Sequence, residues 1–132
     1  MSLLVLVVVT GLIFLIADAV MLPNVVKPLF ERHLNDAILA SPRILPAVLF
    51  YLLYLAGMVW FAGWPALRDD TPSMALLNGA ILGLVAYGTY ELVSWTVMRD
   101  WHPTMVAVDM AWGTALTAVA AWGGVVAARA IA

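Results

Sequence analysis

Four long runs of apolar residues divide the chain, and polar or helix-breaking residues separate them. The first run extends from Leu3 to Leu22, interrupted only by Thr10, Gly11 and Asp18, and Pro23-Asn24 is expected to end it. The second covers about Ile44 to Trp64, with Pro46 in its first turn, where a proline costs no helical hydrogen bond. The third covers about Ser73 to Met98, and Thr71-Pro72-Ser73 is a helix-start pattern. The fourth covers about Thr104 to Ala128, after the break Arg99-Asp100-Trp101-His102-Pro103. A membrane-spanning helix takes about 20 apolar residues. The runs therefore predict spans at about 2–22, 44–64, 73–98 and 104–128. None alternates as barrel strands do, and an open sheet would leave its edges unsatisfied in lipid. The expected fold is all-α, a single integral membrane bundle of four transmembrane helices.

The longest connection, residues 23–43, has a pattern of its own. Val26, Phe30, Leu34, Ala37 and Ile38 recur at helical spacing, while Lys27, Glu31, Arg32 and Asp36 take other faces. Pro28 suits a first helical turn. This predicts a short amphipathic helix in the headgroup region between helices 1 and 2.

Composition agrees with the pattern. Of 132 residues, 65% are hydrophobic and 11% charged, against about 25% charged in soluble domains. The lipid bilayer is the first partner implied. Six scattered basic residues make no phosphate-binding stripe, which excludes nucleic acid as a partner. The absence of cysteine excludes disulfides and thiolate chemistry. Ala17-Asp18-Ala19 resembles a signal-peptide cleavage point, but no Lys or Arg precedes it, so helix 1 is read as retained. No nucleophile elbow, P-loop or dinucleotide glycine fingerprint is present. Charge in the short loops sets topology. Lys27, Arg32, Arg43 and Arg99 share one side, and Arg68 and Arg129 share the other. The expectation is that the first group is cytoplasmic and both termini are periplasmic. Trp60, Trp64, Trp95 and Trp101 fall near predicted helix ends and read as interfacial anchors.

Three carboxylates lie inside the runs, Asp18, Glu91 and Asp109, with no Lys or Arg in the spans to neutralise them. Counted at 1.5 Å per residue, all three fall roughly 6–10 Å below the same surface. Intramembrane acids are costly and tend to face the bundle interior. Polar companions occur at that depth: Tyr51 on helix 2, with Tyr54 one turn deeper, and Tyr87 and Ser94 at i−4 and i+3 from Glu91. The candidate ligand- or proton-binding set is therefore Asp18, Glu91, Asp109, Tyr51, Tyr87 and Ser94. His33 and His102 map to the same side and are the candidate metal ligands, although neither His-x-x-His nor Glu-x-x-His spacing occurs. No cofactor is strongly implied, and no catalytic residue can be assigned. Gly79 and Gly83 form a small-residue pair suited to helix packing.

Phe50-Tyr51-Leu52-Leu53-Tyr54, the stretch from Gly83 to Leu92, the Arg99/Trp101 turn, Val108 to Thr114, and Asp18-Ala19 together resemble the small bacterial membrane proteins grouped as domain of unknown function 2177. The resemblance implies a four-helix protein of the bacterial inner membrane whose acidic positions match 18, 91 and 109. It brings no activity with it. Glu91, Ser94 and His102 stand where the family pattern is Asp, Asn and Pro, so the resemblance supports neither a metal role for His102 nor a fixed one for Ser94. Three functions follow from the acids. The first is binding or carrying a cation, a proton or a polar lipid group, with a homodimer wherever so few helices transport. The second is a membrane-embedded lipid-modifying enzyme. The third is a structural or assembly subunit whose acids only specify packing.

Overall fold

A computed structural model describes residues 1–39 and 41–131. Among them the chain is helical with no strand. The elements are α1 (Ser2–Met21), α2 (Lys27–Leu34), α3 (Ile44–Met58), α4 (Trp64–Arg68), α5 (Pro72–Val97) and α6 (Pro103–Ala130). Four stretches are long and apolar enough to cross a membrane: Ser2–Ala37, Ile44–Arg68, Pro72–Val97 and Pro103–Ala130. The expected four-helix membrane fold is the fold observed.

Two boundaries differ from expectation, both at prolines. Pro23-Asn24 does not end the first helix. The chain stays helical through a π turn at Leu22–Val26, where the Lys27 N–H reaches back five residues to the Leu22 carbonyl. The second helix likewise passes beyond Trp64 to Arg68 through a π turn at Val59–Gly63, closed by the Trp64 N–H on the Val59 carbonyl. In each case a proline stands two residues after the turn, Pro28 or Pro65. A proline ring clashes with the carbonyl four residues back and offers no N–H to it. A wider turn just before the ring is one way to accommodate it without ending the helix. The first helical stretch reaches 36 residues, about 54 Å at 1.5 Å per residue, well beyond a hydrocarbon core of about 30 Å. Its last part, α2, is the amphipathic segment. Val26, Leu29 and Phe30 pack on Trp101, Met105 and Val106 at the start of α6. Asn35 then ends α2 with a positive φ of 49° and ψ of −116°.

The bundle is built around α6. This helix packs against both α5 and α1 and buries twelve of its residues, whereas α3 buries only Tyr54 and Met58. Small residues make the α5–α6 approach close: a Cβ on Gly79 would stand 2.8 Å from the Ala118 Cα, and one on Gly83 would overlap the Gly113 carbonyl. Where hydrophobic burial gives no drive between helices, such backbone approach supplies the packing. Three apolar clusters succeed one another along the bundle. Leu6, Ala62, Ala121 and Val125 form one end, Phe14, Met58 and Leu116 the middle, and the α2–Trp101 cluster the other end. An ion pair between Arg129 and Asp70 (2.6 Å) joins the last helix to the α4–α5 turn. The rings of His33 and His102 stack at the opposite end, 4.2 Å apart. The antiparallel order expected from the short loops is thus present. The outer surface is apolar, with Leu4, Ile16, Leu53, Trp60, Val85 and Val97 among its exposed side chains.

Candidate functional site

The three acids are the charged side chains among the buried residues: Asp18, Glu91 and Asp109. Helix periodicity places them. Asp18 continues the buried stripe Leu6, Thr10, Phe14 of α1. Glu91 and Asp109 lie on the faces by which α5 and α6 meet, and no part of Glu91 is exposed. The two carboxyl groups are neighbours.

The partners of each acid differ. Asp18 is held on both oxygens. Tyr51 donates its hydroxyl to Oδ2 (2.5 Å), and Trp112 donates its indole N–H to Oδ1 (3.3 Å). Glu91 Oε1 accepts the Trp101 indole N–H (3.0 Å), while Oε2 is buried without a donor. Asp109 is 8% exposed. Deeper in the bundle, Tyr54 and Thr117 hydroxyls pair at 2.8 Å.

A cavity of about 350 Å³ opens between these elements, and both Asp18 and Asp109 line it. Tyr51 and Phe50 of α3 and Tyr87 and Tyr90 of α5 supply aromatic walls. Tyr87 is fixed by its ring against Gly113, where any Cβ would overlap it. No lysine or arginine is among the lining residues. The side chains at its rim, Phe50 and Tyr90, are 45% and 53% exposed on the apolar outer surface. Helix α5 meets the second helix chiefly at the π turn 59–63. Along the remaining length of α3 the approach to α5 is through side chains, as in the edge-to-face pair Tyr54–Tyr87 (6.0 Å), and the exposed Phe50 and Tyr90 flank the cavity on that side.

Of the six candidate ligand-binding residues, Asp18, Asp109, Tyr51 and Tyr87 line this one cavity, and Glu91 lies behind Asp109. Ser94 does not join them. It is half-buried, its carbonyl accepts the Met98 N–H (2.7 Å), and its hydroxyl donates to none of the acids. His33 and His102 come together but away from the acids. Their rings are stacked with an interplanar angle of 10°, and His102 Nδ1 caps α6 by accepting the Thr104 N–H (3.1 Å). Among the described residues no group of three or more His, Asp or Glu side chains is placed to hold a metal ion. Two donors were missed. Trp101 reads as an interfacial anchor but is 8% exposed and bonded to Glu91. Trp112 gave no sequence signal, since its partner Asp18 lies 94 residues away.

Comparison with known families settles membership. The family model of DUF2177, described as a predicted membrane protein, matches residues 3–126. The chain belongs to the DUF2177 family. Neither curated proteins nor solved structures give a match. As a DUF2177 protein the chain is a multi-pass membrane protein, and the family assigns it no reaction.

Proposed function

We propose that this DUF2177 protein binds a positively charged group in its intramembrane cavity, with Asp109 as the ligand-facing carboxylate and Asp18 as a fixed charge opposite. The observation that carries the reading is Asp109 itself. It is more than nine-tenths buried and lines the cavity, and no lysine or arginine shares that lining. A carboxylate so placed is expensive unless it finds a partner. Asp18 has both oxygens engaged, as a positioning charge should. Glu91 can pass a proton to or take one from Asp109, so loading a cation would be linked to proton release. The bacterial inner membrane, with both termini periplasmic, is the setting this reading assumes, and a homodimer is the form in which a carrier of four helices would work.

The test is labelling of the purified protein in nanodiscs with a lipid-soluble carbodiimide, which reacts with protonated carboxyl groups. Peptide mapping should locate the adduct at Asp109 or Glu91. An ammonium-bearing probe should slow labelling by holding Asp109 ionised. Labelling that ignores every cation offered would refute the reading, and a large loss of stability in Asp109→Asn beside it would leave the acids as packing devices.

A further inference from the structure

Resting on that reading, we infer that the ligand is an organic ammonium group attached to an apolar tail, and that it reaches the cavity sideways from the bilayer between α3 and α5. A bare metal ion needs several oxygen or nitrogen ligands around one point. Among the described residues no three His, Asp or Glu side chains are placed to hold one. The acids that line the cavity are two, Asp18 and Asp109, and the first already accepts two hydrogen bonds. One negative group facing an aromatic wall suits a single ammonium. Phe50, Tyr51, Tyr87 and Tyr90 provide that wall. Aromatic faces attract cations, and the attraction grows where water is excluded.

The size and the mouth fix the rest of the ligand. A volume of about 350 Å³ is at the lower end of small-molecule sites and exceeds what an ammonium head alone would fill, given roughly 30 Å³ for one water in the liquid. The remaining wall is apolar, through Leu22, Ala86 and Phe50. The rim residues Phe50 and Tyr90 are half-exposed on the face that meets lipid. A tail would therefore leave the cavity into the acyl chains, and the head would sit at Asp109. Two sources share this chemistry: a free lipophilic amine, and the amine headgroup of a membrane lipid.

The experiment uses the full chain in phosphatidylcholine nanodiscs, with tryptophan fluorescence as readout, because Trp112 bonds to Asp18 at the cavity. The probes are octylammonium, methylammonium and octanol. Octylammonium should half-saturate at an aqueous concentration at least about tenfold below that of methylammonium, since each methylene removed from water favours the bilayer-fed site by about fourfold. Octanol should give no saturable response. Asp109→Asn, nearly isosteric, should abolish the octylammonium response while the protein keeps its melting temperature within a few degrees. Tyr90→Ala, which removes part of the aromatic wall and of the rim, should weaken octylammonium more than methylammonium. Equal half-saturation by both amines would overturn the tail and the sideways route yet keep the carboxylate site. Equal response to octanol, or an octylammonium response that survives Asp109→Asn, would overturn both readings. Repeating the titration with phosphatidylethanolamine in the nanodisc assigns the source. Competition by that lipid identifies the headgroup amine, and absence of competition identifies the free amine, both within the proposed class.

Discussion

Glycine carries opposite meanings on the two sides of this molecule. At the α5–α6 seam, Gly79 and Gly83 let two backbones meet so closely that an added methyl has no room. On the second helix, a Cβ at Gly57 would find nothing within 4 Å. The seam belongs to α6 with its twelve buried residues, the flank to α3 with its two. Within lipid, the free energy of helix contact comes from close fit and polar pairing rather than from escape from water. A tight seam therefore acts as the rigid part, holding Glu91 and Asp109 against each other. The loose flank leaves the volume that becomes the cavity. The acids sit where the two regimes meet, with one wall fixed and the other free to yield.

The largest effect should come from forcing the seam. Gly83→Leu must push α5 away from the Gly113 carbonyl, and overpacking with backbone movement should cost at least about 3 kcal/mol. Gly57→Leu on the flank should stay within about 0.5 kcal/mol. Thermal unfolding in mild detergent reads both. Equal losses would erase the distinction between seam and flank.

Removing one donor from each side gives a smaller contrast. Trp101→Phe deletes the only indole bond to Glu91, whose other oxygen already lacks a donor. The expected loss is about 1–3 kcal/mol, the cost of leaving a buried polar group unsatisfied. Tyr51→Phe on the flank leaves Asp18 with its Trp112 bond and opens it further to the cavity, so about 1 kcal/mol is expected. If Tyr51→Phe is the more damaging of the two, the flank is the structural element and the seam is not.

The fold was legible because a membrane imposes one rule on every span: 20 or so apolar residues and no unsatisfied backbone. The pattern located each helix to within a few residues, and periodicity placed Asp18, Glu91 and Asp109 on inward faces. Two kinds of feature escaped it. Pro23 reads as a helix end and Trp64 as the limit of the second run, because the pattern does not reveal that a π turn will carry the helix past them. Trp101 reads as an anchor and Trp112 carries no signal, because indole donors find their carboxylates through tertiary packing, 10 and 94 residues away. Ser94 marks the limit of spacing as a guide. Its i+3 spacing from Glu91 is real, but its hydroxyl donates to none of the acids.

The smallest effect concerns the ends of the seam. Arg129 at the close of α6 pairs with Asp70 before α5 at 2.6 Å, with 43% and 73% of the two side chains exposed. That pair ties the same two helices that Gly79 and Gly83 bring together. If charge rather than fit held them, Arg129→Ala would rival Gly83→Leu. Exposed pairs contribute at most about 1 kcal/mol and are screened by salt. Arg129→Ala should therefore cost about 0.5 kcal/mol at low ionic strength and nothing measurable at 1 M salt. A double-mutant cycle with Asp70→Asn isolates the pair from any change in helix-end packing. A coupling that persists in high salt would mean that lipid headgroups shield the pair from water, and the turn 69–71 would then count as part of the rigid seam rather than as its frayed end.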